Sequence, residues 1–133
     1  MKKIISLVLF AFVAMLAMTL TSCEKKADVN EYPFVGHTFV GSDASGTVKV
    51  VFRDNFTAVM FVQNTGAKAE YDWKAKDNNI EICLQDAIYI PLLDETFPKG
   101  YVAFSGKYDA TAKTILLKEH LGSGATIELY QEQ

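Results

Sequence analysis

The sequence predicts an all-β domain folded as a small antiparallel up-and-down β-barrel, with a two-sheet β-sandwich as the alternative arrangement. Three observations point there. From Pro33 onward apolar residues recur with period two, the spacing that lines one face of a strand. No window longer than about ten residues carries a helical stripe. Turn-forming residues fall between the alternating runs, at Asp54-Asn55, Asn64-Thr65-Gly66, Asp77-Asn78-Asn79, Asp109-Ala110-Thr111 and Gly122-Ser123-Gly124. Short strands joined mostly by tight turns form a meander, and a meander removes its unpaired edges by closing on itself.

Taken in order, the first strand is expected at His37 to Val40, directly after Gly36. Thr47 to Arg53 follows, with Val48, Val50 and Phe52 on one face, and Phe56 to Gln63 returns after Asp54-Asn55. Lys68 to Lys76 is the clearest case: Ala69, Tyr71, Trp73 and Ala75 alternate with Lys68, Glu70, Asp72, Lys74 and Lys76. Such a strand has one apolar face and one charged face, so Trp73 is predicted to point inward. In Asn79 to Gln85 the residues Ile80, Ile82 and Leu84 repeat the pattern. Cys83 then shares the outer face with Glu81 and Gln85, where partial exposure is expected. Further strands are predicted at Ala87 to Pro91, Tyr101 to Tyr108, Thr114 to Glu119 and Thr126 to Gln131. The long connection Pro91 to Gly100 carries Leu92, Leu93 and Phe97, apolar residues where loops normally face water.

Ahead of this domain lies a segment of different character. Of the first 22 residues 16 are apolar, and they follow the basic start Met1-Lys2-Lys3. The run Ile4 to Leu20 is about 17 residues long, short for a bilayer span and suited to a secretory signal. Leu20-Thr21-Ser22-Cys23 looks like the lipobox of bacterial lipoproteins. The resemblance implies cleavage between Ser22 and Cys23, lipid on the Cys23 sulfur, and an anchor that holds the protein to a membrane without spanning it. Residues 1–22 are thus read as a signal peptide, 23–32 as a flexible tether and 33–133 as the barrel domain. In the lipoproteins this stretch resembles, an Asp directly after the lipidated cysteine favours the inner membrane; the residue here is Glu24, so the resemblance implies the outer membrane, on either its periplasmic or its cell-surface face. Across the whole chain 13 basic residues face 16 acidic ones; Lys2 and Lys3 leave with the signal, so 11 face 16 and the net charge becomes -5. An acidic domain of this kind is not expected to bind nucleic acid.

Four stretches resemble small lipocalin-like lipoproteins of Bacteroidota: Phe34-Val35-Gly36-His37-Thr38-Phe39-Val40-Gly41, Val50-Val51-Phe52-Arg53-Asp54-Asn55-Phe56-Thr57, Tyr71-Asp72-Trp73-Lys74, and Tyr108-Asp109-Ala110-Thr111-Ala112-Lys113-Thr114. The resemblance implies an up-and-down barrel with an apolar interior. Lipocalins proper carry Gly-x-Trp on the first strand, whereas Gly36-His37-Thr38-Phe39 has no tryptophan there.

Catalytic patterns are sparse in the sequence. His37 and His120 lie in separate predicted strands without metal-ligand spacing, and Ser105-Gly106 and Ser123-Gly124 lack a nucleophile elbow. Asp94-Glu95 is an adjacent carboxylate pair on a loop. Neither cofactor nor metal is expected, and the protein is read as a noncatalytic binding module of the cell envelope. Two sets of residues are candidates for binding. Phe52, Met60, Tyr71, Trp73 and Ile82 would line a lumen able either to hold a small apolar ligand or to be filled by side chains. Leu92, Leu93 and Phe97 would form either a lid or, in the alternative reading as a protein-interaction or inhibitor lipoprotein, the edge of the Pro91 to Gly100 loop that meets an envelope protein. With Cys23 consumed by lipid, Cys83 is expected to be a free thiol.

Overall fold

The computed structural model describes residues 26–43, 46–63 and 65–132. The stretch expected to be a signal peptide, its lipobox-like end and Cys23 lie outside the described residues. The ten strands are β1 (Thr38–Asp43), β2 (Gly46–Phe52), β3 (Thr57–Val62), β4 (Ala67–Lys76), β5 (Asn79–Cys83), β6 (Ile88–Ile90), β7 (Glu95–Phe97), β8 (Val102–Asp109), β9 (Thr114–Glu119) and β10 (Thr126–Gln131). Eight of them close in the order β1-β10-β9-β8-β5-β4-β3-β2, every pair antiparallel. The seam between β1 and β10 sets Phe39 opposite Gln131 and Val40 opposite Tyr130, which excludes a sandwich of two open sheets. The architecture is therefore the all-β up-and-down barrel, lipocalin-like in form.

Alternation fixes which face is inside. Along β4 the buried residues are Ala69, Tyr71 and Trp73, and the intervening lysines and Asp72 are exposed. The turn from β4 to β5 shows how side chain type sets register: Asp77 and Asn78 both take positive φ, 54° and 70°, as a two-residue hairpin of the twisted kind requires. After Asp54-Asn55 the positive φ falls instead on Phe56, at 66°. That is an unfavourable conformation for a bulky side chain, and Phe56 is held in it by ring contact with Trp73 at 4.9 Å and Tyr32 at 6.2 Å.

The floor of the barrel is where β2 meets β3, β4 meets β5 and β8 meets β9. Phe34 plugs it. Its ring lies 5.1 Å from Phe52, 5.1 Å from Trp73 and 5.9 Å from Tyr108, all edge-on, and Tyr32 packs on Trp73 at 5.2 Å. Trp73 also donates its indole N–H to the Arg53 carbonyl at 2.9 Å, so its polar edge is satisfied. Packing begins earlier than the sequence reading places it, because Ala27 is already buried and donates its N–H to the Asp54 carbonyl at 2.6 Å. Residues 27–32, expected within a tether, therefore belong to the folded unit, and Tyr32 supplies part of the floor.

The opposite end is covered by β6 and β7, a two-stranded sheet separate from the barrel. The expected strand at Ala87 to Pro91 thus forms no part of the barrel wall. It pairs with Glu95–Phe97, a strand that the sequence reading leaves inside a loop. One correction concerns Cys83: it is only 7% exposed. It does lie opposite Asp72, on the outer side, as alternation requires. The β5–β8 register shifts between Ile82 and Cys83, however, so alternation breaks and Cys83 and Leu84 are both buried.

Candidate functional site

Phe52, Met60, Tyr71, Trp73 and Ile82 all face the interior and all belong to one core. Phe52, Trp73 and Ile82 sit at the floor, where Trp73 and Ile82 are cross-strand partners. Met60 lies opposite Val50 and Ala69. Tyr71, two residues from Trp73 in the direction of the lid, meets Phe104 edge-on at 5.6 Å. Tyr71, Phe52 and Ile82 have no accessible surface, and a side chain bordering a void wide enough for water would have some. Around these residues the interior is filled by side chains at close packing.

The lid divides the three loop candidates. Phe97 is buried and packs on Tyr101 at 4.9 Å, and Leu93 is half-buried against the core. Leu92 points outward and is 63% exposed, close to Tyr89 on the same hairpin, which is also exposed. The lid turn is held by the Leu93 N–H on the Ile90 carbonyl at 3.0 Å and by the Tyr89 hydroxyl on Asp94 at 2.8 Å. Its base is tied to the barrel by the Leu84 N–H on the Tyr101 carbonyl and the Gly100 N–H on the Leu84 carbonyl, both 2.9 Å. Gly100 takes a φ of 86°, a backbone state that glycine adopts without strain. Leu93 leans on the turn after β9 so closely that a Cβ on Gly122 would come within 2.5 Å of its Cδ1.

Two polar features emerge that the sequence reading does not single out. Ser105 and His120, fifteen residues apart, come together because β8 and β9 run antiparallel, with Oγ and Nε2 at 2.7 Å. Alternation puts the pair on the outer wall, since the neighbouring Phe104 and Glu119 point inward. His37, just before β1, is exposed and makes no side-chain hydrogen bond among the described residues. The second feature is Glu119, an acid 2% exposed inside the barrel. Its signal was present in the sequence: Glu119 shares the phase of Ile115 and Leu117 along β9. Among the described residues no three of His, Cys, Asp and Glu are grouped as a metal site would need. The chain matches no protein-family model, no curated protein and no solved structure.

Proposed function

We propose that the protein is a noncatalytic binding module of the bacterial cell envelope, held at the outer membrane by lipid on Cys23, and that its barrel takes up a small apolar ligand through the lidded end. The observation that carries the ligand reading is the separateness of the lid. Because β6 and β7 pair only with each other, the hairpin can swing about its base near Gly100 without breaking a barrel hydrogen bond. The floor offers no comparable route, since interlocked rings and the Ala27 and Gly36 backbone bonds fasten it. The anchor rests on Leu20-Thr21-Ser22-Cys23, and the family reading rests on the resemblance to lipocalin-like lipoproteins of Bacteroidota. Absence of catalysis is part of the proposal.

A second reading is favoured by one observation, the exposure of Leu92 and Tyr89 on the outer face of the lid. In that reading the hairpin is a contact edge for another envelope protein. Organic extraction of the membrane-purified full chain, followed by mass spectrometry, separates the two. A co-purified apolar compound at near one per chain supports the ligand reading. Recovery of no such compound, together with a stoichiometric protein crosslinked to the lid, replaces it with the second. For the anchor, Cys23→Ala is expected to abolish palmitate incorporation; wild-type protein in the soluble fraction with an unmodified N-terminal peptide would overturn it.

A further inference from the structure

Inside the barrel, beneath the lid, two polar side chains hold atoms that no group among the described residues satisfies. The two oxygens of Glu119 differ in their surroundings. Oε1 accepts from the Ser123 hydroxyl at 2.6 Å, the Ser123 N–H at 3.0 Å and the Gly124 N–H at 3.3 Å. Oε2 is buried without a hydrogen-bond partner among the described residues, and so is the Tyr71 hydroxyl. Phe104 links them, because it is the cross-strand partner of Glu119 and lies edge-on to Tyr71. Burial, and after it the charge on Glu119, holds the Tyr71 phenol far above its ordinary range, so the hydroxyl keeps its proton.

Buried polar atoms without partners destabilise a fold. The turn accounts for Oε1 of Glu119 but not for Oε2, and an apolar ring of the same size suits the Tyr71 position, so packing gives no reason for these two orphaned atoms. We propose that Tyr71 and Glu119 form the polar end of a binding site for an apolar molecule with a hydroxyl head, whose chain takes the place of the buried Ile90 and Phe97 side chains when the lid swings away. A hydroxyl suits both orphans, since it donates to Oε2 and accepts from the phenol. A carboxylate head would set a second anion against Glu119, and an ether head has no proton to give.

Glu119 is also joined to the lid. Its Oε1 fixes the Ser123-Gly124 turn, Leu93 of the lid rests on Gly122, and Tyr101, packed on Phe97, donates to the His120 carbonyl at 2.8 Å. Tyr71 has no accessible surface while the lid is shut, so entrance of a ligand and movement of the lid are one event.

This inference rests on the ligand reading above, and the test keeps their failures apart. The full chain, held in amphipol, is titrated calorimetrically with 1-decanol, 1-methoxydecane and decanoate, with empty amphipol as the blank. The expected result is binding of decanol, with the ether and decanoate at least tenfold weaker. Tyr71→Phe and Glu119→Gln should each weaken decanol about tenfold, the loss of one hydrogen bond to a buried group. Glu119→Gln should also narrow the gap between decanol and decanoate. Circular dichroism and Trp73 emission confirm folding; if Tyr71→Phe fails to fold, the decanoate comparison in Glu119→Gln decides. Equal binding of all three probes, indifferent to both variants, overturns the head-group assignment and leaves the lumen as a ligand site. Binding of none overturns both.

Discussion

Replacing Tyr71 by Phe removes one oxygen from the centre of the barrel, and the expected effect is a more stable protein. In most buried sites this change is destabilising, because the hydroxyl takes a hydrogen bond with it. Here the hydroxyl has no partner among the described residues, and the ring has no accessible surface. Burying a hydroxyl without a partner costs about 1–3 kcal/mol, and deleting the oxygen recovers that less the packing it provided. The net expectation is a gain of about 1 kcal/mol, or roughly 4 °C in Tm for a domain of this size. Chemical denaturation of the full chain followed by far-UV circular dichroism measures it.

The same substitution has a signature at high pH. Burial, then the charge on Glu119, raises the Tyr71 phenol well above its ordinary value of 10.0. For an acid whose neutral form is favoured by folding, the contribution to stability is fully present below the unfolded value. It is lost as pH rises above that value, because the unfolded chain releases the proton first. Wild type should therefore lose stability above about pH 10 more steeply than Tyr71→Phe, by up to about 1.4 kcal/mol per pH unit for one proton. A Tyr71→Phe protein destabilised by more than about 1 kcal/mol, with an unchanged alkaline slope, would refute the reasoning by showing the hydroxyl hydrogen-bonded in the folded state.

Trp73→Ala should cost about 3–5 kcal/mol, since it removes the ring against which Tyr32, Phe34, Phe52 and Phe56 all pack; intact Trp73 should emit at blue-shifted wavelength, and emission like that of free indole would contradict the placement. Gly106→Ala should destabilise by about 1–3 kcal/mol, because a Cβ there would lie 2.5 Å from the Leu116 carbonyl oxygen of the paired strand; an unchanged midpoint in urea would refute it. Cys83 should resist maleimide under native conditions and react once unfolded. Burial raises its thiol above the ordinary value, against an opposing pull from Lys74, so thiolate is scarce near neutral pH, and rapid native labelling would show the cover over it to be absent.

Period-two patterning made the wall of the barrel legible, because each strand of the meander buries one face and wets the other. Lys68 to Lys76 could be oriented residue by residue, and Trp73 lies where that orientation puts it. What escaped depends on contacts between segments distant in sequence. Phe34 reads as one apolar residue before the first strand, yet becomes the floor because Phe52, Trp73 and Tyr108 converge on it from three strands. Glu95–Phe97 has too few residues to show alternation and is a strand only through its pairing with Ile88–Ile90. Cys83 lies on the side of β5 that alternation gives it, but a register shift against β8 is invisible in the spacing of β5 alone. Glu119 could have been noticed as the acid in an apolar phase. Its unsatisfied oxygen could not, because that depends on which groups the turn at Ser123 supplies.

The two ends of the barrel are unequal in a way that bears on orientation at a membrane. The described chain enters at the floor, where Ala27 bonds to Asp54 and Gly36 donates to the Phe52 carbonyl at 2.8 Å. Under the proposed anchor at Cys23, only the few residues before Ala27 separate lipid from folded protein, a reach of about 14 Å at full extension. A leash that short keeps the floor near the headgroups and directs the lid away from the bilayer. A ligand would then arrive from the aqueous side, since a molecule leaving the membrane would meet the end sealed by Tyr32, Phe34 and Trp73. Lengthening the leash with a glycine-serine insert after Lys26 offers a test. Uptake of a water-borne probe should be unchanged, whereas uptake that appears only with the longer leash would show that the mouth must turn back toward the lipid.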